Sequence, residues 1–118
     1  MAAGYQELFI EQGSDYATTI TLDAVDGSPF SLAEYVARSQ IRKSYYSTSP
    51  TAEFVIAFPD AANGVISFSL SSANTANIAP GRYVYDVVIK DTTNNANTVT
   101  RVLEGVINVT PSVTYTGF

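Results

Sequence analysis

Arg82-Tyr83-Val84-Tyr85-Asp86-Val87-Val88-Ile89-Lys90 is the stretch whose reading decides the fold. Tyr83, Tyr85, Val87 and Ile89 fall on every second position, with Asp86 and Lys90 on the alternate ones. Side chains of an extended chain point to opposite faces in turn, so this spacing makes one apolar and one polar face on a strand. The β-branched and aromatic residues suit a pleated surface. Pro80-Gly81 immediately before the run supplies the break that a strand start requires.

The same alternation recurs on both sides. Upstream, Val65–Leu70 places Ile66, Phe68 and Leu70 inward, and Ala52–Phe58 aligns Phe54, Ile56 and Phe58. Asn63-Gly64 lies between these two runs and predicts a hairpin turn. Val36–Tyr46 alternates Ala37, Ser39 and Ile41 with Arg38, Gln40 and Arg42. Asp15–Val25 sets Tyr16, Thr18, Ile20 and Leu22 on one face and closes at Asp26-Gly27. Glu7–Glu11 is the first run and Thr98–Val109 the last, the latter entered through a turn at Asn94-Asn95. Seven short strands with frequent turns predict an all-β fold, an antiparallel β-sandwich. Two stretches break the pattern. Pro29–Tyr35 spaces Leu32 and Tyr35 for one helical turn, and Ser71–Ile78 begins with capping serines and predicts a short helical crossing. Residues 1–118 read as one domain with a short N-terminal arm (1–6) and a C-terminal tail (111–118).

Composition bounds the chemistry. The chain has 118 residues, with 6 basic and 11 acidic side chains and a net charge of −5. Its 13 Thr, 12 Ser, 8 Tyr and 6 Phe favour sheet, and it holds no His, Cys or Trp. Without Cys there is no thiolate nucleophile, disulfide or thiolate metal site. Without His the commonest general base and metal ligand are missing, and a Ser-His-Asp triad is excluded. Lys43 and Lys90 are the only lysines that could serve a Ser-Lys pair. The acidic balance argues against nucleic acid and anionic membranes as partners. No run approaches the ~18 apolar residues of a membrane span, and Met1-Ala-Ala-Gly-Tyr5 lacks the features of a signal peptide, so synthesis in a cytoplasm is expected. The composition predicts a contact protein and no enzyme, with no cofactor and no metal.

The acidic residues are few. Glu7 and Glu11 end one strand, Asp23 and Asp26 flank a turn, and Asp86, Asp91 and Glu104 are the set that a calcium site would draw on. The spacing fits none of the known ligand loops, so these carboxylates read as solvated strand ends and turn formers. Asn108-Val109-Thr110 matches a glycosylation acceptor by chance. Arg38, Arg42 and Lys43 form the one basic cluster, read either as partners of neighbouring carboxylates or as the edge of a contact surface. Tyr45 and Tyr46 close a strand inside the polar loop Ser44–Pro50, and tyrosine is favoured at interfaces because it buries area while keeping a hydroxyl. The strand with Leu8, Phe9 and Ile10, and the tail with Val113, Tyr115 and Phe118, are suited to insertion into a neighbour by strand addition.

One ordered set of motifs carries a resemblance. It runs Gln12-Gly13-Ser14-Asp15-Tyr16, Thr19-Ile20-Thr21-Leu22, Asp26-Gly27-Ser28-Pro29, Leu32 with Tyr35, Ile41-Arg42, Gly64-Val65-Ile66-Ser67-Phe68-Ser69-Leu70, Thr75-Ala76-Asn77-Ile78, Pro80-Gly81-Arg82-Tyr83-Val84-Tyr85-Asp86 and Glu104-Gly105-Val106-Ile107. In this order, over about residues 6–114, the chain resembles the small immunoglobulin-like domains of tailed-bacteriophage virions. It is similar in particular to the N-terminal domain of siphophage baseplate upper proteins and to stand-alone virion structural proteins of marine myophages. The resemblance implies an immunoglobulin-like sandwich and a non-enzymatic virion component, present in multiple copies. Such a part docks on other virion proteins in the tail, baseplate or neck, or on the head exterior as a capsid decoration protein. It also implies a tyrosine corner at Tyr83 or Tyr85. The alternative is a carbohydrate-binding host-attachment module, with Tyr45, Tyr46 and Tyr115 stacking on glycans.

Overall fold

The run Arg82–Lys90 lies inside β8 (Gly81–Asp91), the middle strand of the larger of two sheets. The computed structural model describes residues 4–23, 27–28, 30–93 and 98–113. Within them, β8 pairs on one side with β9 (Val99–Thr110) and on the other with β4 (Tyr35–Arg42), which pairs in turn with β5 (Ala52–Glu53). The smaller sheet runs in the order β3 (Tyr16–Thr21), β7 (Val65–Leu70), β6 (Val55–Asp60). These ladders are antiparallel, as the sequence predicts. The remaining two, β1 (Gly4–Tyr5) and β2 (Leu8–Glu11), lie parallel to β9. Gly4 and Tyr5, expected within a terminal arm, therefore belong to the sheet. The strand expected to be available for insertion is occupied too: Leu8 and Ile10 are buried in the protein's own core.

The core is built largely from the inward positions that the alternation marks, among them Leu8 and Ile10, Ile41, Ile66, Phe68 and Leu70, then Tyr83, Tyr85, Val87 and Ile89, with Leu32 and Ile78 added from outside the strands. Opposite Val87–Val88, β9 holds one extra residue, Val102, and this bulge brings Val102 and Leu103 into the interior in succession.

The fourth run is corrected. It is two strands, because Ala52–Glu53 pairs with β4 in the larger sheet whereas Val55–Asp60 pairs with β7 in the smaller one. Phe54 is the residue at which the chain changes sheet, its N–H donating to the Ser39 carbonyl at 3.0 Å. Its buried ring packs edge-on against Phe68 and Tyr85, with centroids 5.2 and 6.2 Å away. An aromatic at this crossing gains contact with both layers at once, which an even two-residue periodicity does not reveal.

Two local expectations shift and a third holds. The hairpin at Asn63-Gly64 is a 3-10 turn over Ala61–Asn63 closed by Gly64 at φ 75°. A Cβ on Gly64 would lie 2.5 Å from the Leu22 carbonyl oxygen and 2.6 Å from that of Phe30, so only glycine fits. The stretch before Tyr35 makes a hydrogen-bonded turn, Tyr35 N–H to the Leu32 carbonyl, and no helix among its described residues. The crossing helix does form, as α1 (Ser72–Ala76), with the Ser71 hydroxyl accepting from Asn74 N–H at 3.3 Å. The turn expected at Asn94-Asn95 lies outside the described residues.

Candidate functional site

The outward face of the larger sheet carries four of the eight large apolar side chains that stand exposed among the described residues. β1 and β2 place Tyr5 and Phe9 there, 66% and 63% exposed, in register with Glu104 and Asn108 of β9. Val36 and Val99, also exposed, lie across the same face on either side of Lys90. The smaller sheet's outward positions are mostly small or hydroxylic: Ala17, Thr19, Thr21, Ser67 and Ser69, with Val55 and Val65 the exceptions.

On the apolar-bearing face lies an open groove of about 260 Å³, lined by Gln40, Arg42, Tyr45, Val84, Asp86 and Arg101. Its floor comes from neighbouring strands in register, Gln40 opposite Asp86 and Arg42 opposite Val84. Arg101, on one wall, bridges two acids, 2.7 Å from Glu104 and 3.5 Å from Asp86. The Glu104 carboxylate beside it, with Asp86 behind, pushes the Arg101 guanidinium further up from its ordinary value. Two of the carboxylates considered as calcium ligands are thus brought together, with a guanidinium between them. The third, Asp91, sits at the far end of β8, where it accepts from the Thr93 hydroxyl and N–H and is held below the usual carboxylate range. No group of three or more acidic ligands converges among the described residues.

The basic cluster is taken apart. Arg38 pairs with Glu53 across β4 and β5 at 2.8 Å, a partner carboxylate on the neighbouring strand, and the guanidinium holds the Glu53 carboxyl below its usual range. Arg42 turns to the groove, where Nε and Nη2 both donate to Gln40 Oε1 and Nη1 donates to the Ser47 carbonyl at 2.6 Å. Lys43 lies over the Tyr83 ring, 4.7 Å from its centroid. Arg42 therefore acts on the loop that carries the tyrosines. β4 stops at Arg42, so Tyr45 and Tyr46 lie in a turn and do not end a strand as expected. That turn is closed by Ser47 N–H to the Ser44 carbonyl and Ser44 N–H to the Ser47 hydroxyl. It leans Tyr45 toward the groove and leaves Tyr46 93% exposed.

Val113, 98% exposed, borders a second open groove with Glu11, Gln12, Ser14, Thr110 and Pro111. Tyr115 and Phe118 lie outside the described residues. The Gln12 side chain holds this end together, donating to the Ile78 carbonyl and accepting from Ser112 N–H. Sequence reasoning quotes Thr75 within a motif but misses its role: it is fully buried, and its hydroxyl accepts from Gly13 N–H at 3.1 Å and donates to the Ser14 carbonyl at 2.9 Å. A lone Thr in a short helix carries no periodic signal. The tyrosine-corner alternatives separate: Tyr83 donates to the Ala79 carbonyl four residues back, and Tyr85 to the carbonyl of Gln6.

No family model and no curated protein matches this sequence. Solved structures do. A chain of the complex of ICOS with ICOS-L and an anti-ICOS-L VNAR domain superposes with a TM-score of 0.50 at 13% identity, covering 92% of this chain and 56% of that one. Listeria monocytogenes InlP gives 0.47 at 18% identity, over 92% of this chain and 28% of that one. The Lin-41 filamin domain gives 0.41 at 14% identity, over 80% and 81%. This chain thus spans about a quarter of InlP and just over half of the matched chain in the ICOS complex. At such identities the likeness is one of fold, and that fold is the immunoglobulin-like β-sandwich.

Proposed function

We propose that this chain is a non-enzymatic structural protein of a tailed-bacteriophage virion, docking on neighbouring virion proteins through the outward face of its larger sheet. The ordered motifs from Gln12 to Ile107 support the virion assignment. The observation that carries the docking surface is the placing of Tyr5, Phe9, Val36 and Val99 on one face, with Tyr45 at its groove. Aromatic side chains beside arginines are the composition of protein interfaces. The neighbours are tail, baseplate or neck proteins, or the head surface. The test is readdition of purified protein to particles assembled without it, followed by imaging. Discrete density at one location, lost when Tyr5→Ser and Phe9→Ser are combined in a folded variant, is the expected result. Absence of binding by the unaltered protein to every part of the particle defeats the proposal.

The groove supports a second reading, attachment to host glycans, because Tyr45 stands beside the polar side chains of Gln40, Arg42 and Asp86. A glycan array probed at millimolar protein with no ligand retained would remove it.

A further inference from the structure

An immunoglobulin-like sandwich exposes four sheet edges, and an unpaired edge is a template for another strand. Three of the four are blunted here. β5 is two residues long. β6 ends in Pro59-Asp60, with a register irregularity after Ala57. The β1–β2 edge is interrupted at Gln6 and Glu7 and closes on Glu11. The fourth is β3, Tyr16-Ala17-Thr18-Thr19-Ile20-Thr21, which has no charge, no proline and unbroken register with β7. Because β1 and β2 both run beside β9, no strand among the described residues pairs with the far edge of β3.

The hydrogen-bonding direction of that edge follows from the ladder. Leu22 N–H donates to the Gly64 carbonyl at 2.8 Å, in the same register that pairs Tyr16 with Leu70. Bonding alternates along an antiparallel pair, so Tyr16, Thr18 and Ile20 direct their backbone groups to β7. Ala17, Thr19 and Thr21 direct theirs outward, to the open edge. Tyr16, Thr18 and Ile20 are only half-buried, although their β7 partners Leu70, Phe68 and Ile66 are buried. The inward side chains of β3 therefore keep surface that a further strand beside them would cover.

We propose that β3 is a strand-addition site for a second copy of this chain, pairing β3 with β3 antiparallel about a two-fold axis at Thr18. The strand is self-complementary about that residue: its inward side chains read Tyr16, Thr18, Ile20 and its outward ones Ala17 and Thr19. The axis sets Tyr16 opposite Ile20 of the second copy and Thr18 opposite Thr18, an aromatic–β-branched pair and a Thr–Thr pair. Ala17 and Thr19 then exchange their outward N–H and C=O groups with Thr19 and Ala17 of the other copy. Charge selects this axis over the one at Thr19. Centring on Thr19 would set Asp15 opposite Asp23, whereas centring on Thr18 sets Asp15 opposite Thr21. The paired smaller sheets become one continuous six-stranded sheet. The outward face of the larger sheet plays no part in it, so this dimer stands or falls apart from the docking proposal.

The chain has no cysteine, so a single introduced thiol is an unambiguous reporter. A directly opposed antiparallel pair brings its Cα atoms to about 4.5–5.5 Å, within disulfide reach. Under mild oxidation Thr18→Cys is expected to form a disulfide dimer at least ten times faster than Asn74→Cys, an exposed position on α1. The unaltered chain should sediment at twice 12.6 kDa at millimolar concentration, and Thr19→Lys at the monomer mass. A monomeric unaltered chain at that concentration overturns the proposal. So does Thr18→Cys cross-linking no faster than Asn74→Cys, which reads out independently of whether Thr19→Lys folds.

Discussion

The Tyr85 hydroxyl donates a 2.7 Å hydrogen bond to the backbone carbonyl of Gln6, 79 residues earlier in the chain. Gln6 is the residue between β1 and β2, and its N–H still donates to the Glu104 carbonyl of β9. Its own carbonyl turns in over Gly105, where a Cβ would overlap it. The missing side chain at Gly105 is thus what lets a core tyrosine reach the terminal edge of the sheet.

Two substitutions test this arrangement. Tyr85→Phe strands the Gln6 carbonyl and is expected to cost about 1–3 kcal/mol. Gly105→Ala forces Gln6 off β9 and is expected to cost about 3 kcal/mol, as for an overpacked core, with loss of hydrogen-exchange protection at residues 4–6. Urea denaturation and exchange measured by NMR check both; equal protection in the two variants and the parent would refute the arrangement.

Thr75 tethers α1 to the Gly13–Ser14 turn through its hydroxyl. Thr75→Val keeps the shape and strands a buried N–H and a carbonyl, so about 1–3 kcal/mol is expected to be lost. Thr75→Ser keeps the hydroxyl and gives up one methyl group, about 0.8 kcal/mol. Denaturation midpoints should rank parent, Ser, then Val.

Arg42 ties Gln40 to the Ser47 carbonyl and so fixes the turn bearing Tyr45 and Tyr46. Arg42→Ala is expected to lower backbone order parameters over residues 44–47 to below about 0.6, with about 1 kcal/mol of stability lost. Arg42→Lys should not restore them, because an ammonium on a single stem lacks the fork that spans both acceptors. Nitrogen-15 relaxation decides.

The pH profile follows from which groups are perturbed. With no His or Cys, no side chain has an ordinary value between about pH 5 and 8, and stability should be flat there. Glu53, through Arg38, and Asp91, through Thr93, ionise more readily in the fold than in the unfolded chain. Their contribution is present above the ordinary carboxylate range and is lost as pH falls through and below it. Burial raises the Tyr85 and Tyr16 hydroxyls, so the protonated form is favoured by folding and stability declines as pH rises above about 10. Denaturation across pH should show a plateau with both flanks. The acid flank should shrink in Arg38→Ala, and the alkaline one in Tyr85→Phe.

Alternation was the legible part, because burial on one face of a strand leaves a period-two trace in the residues themselves. Six of the seven predicted runs map onto single strands within a few residues, from Leu8–Glu11 to Val99–Thr110. The run at Ala52–Phe58 misled because Phe54 keeps its inward position while changing sheets. The Tyr45–Tyr46 turn was legible as a polar, tyrosine-bearing loop. Its support by Arg42 was not, because a guanidinium's partners depend on which strands become neighbours. The same holds for Gln6 and Tyr85, and for Thr75 and Gly13, whose meetings across the chain leave no mark in local composition.

The parallel pairing of β2 with β9 has a mechanical consequence. Parallel neighbours point the same way, so the chain enters β2 at one end of their shared ladder and leaves β9 at the other. Tension between the two ends of the chain slides these strands along each other and loads the bonds from Leu8–Ile107 to Glu11–Thr110 together. An antiparallel terminal pair would open one bond at a time, like a zip. A domain held by its ends therefore resists pulling in shear, with Leu8 and Ile10 locked in the core as the latch.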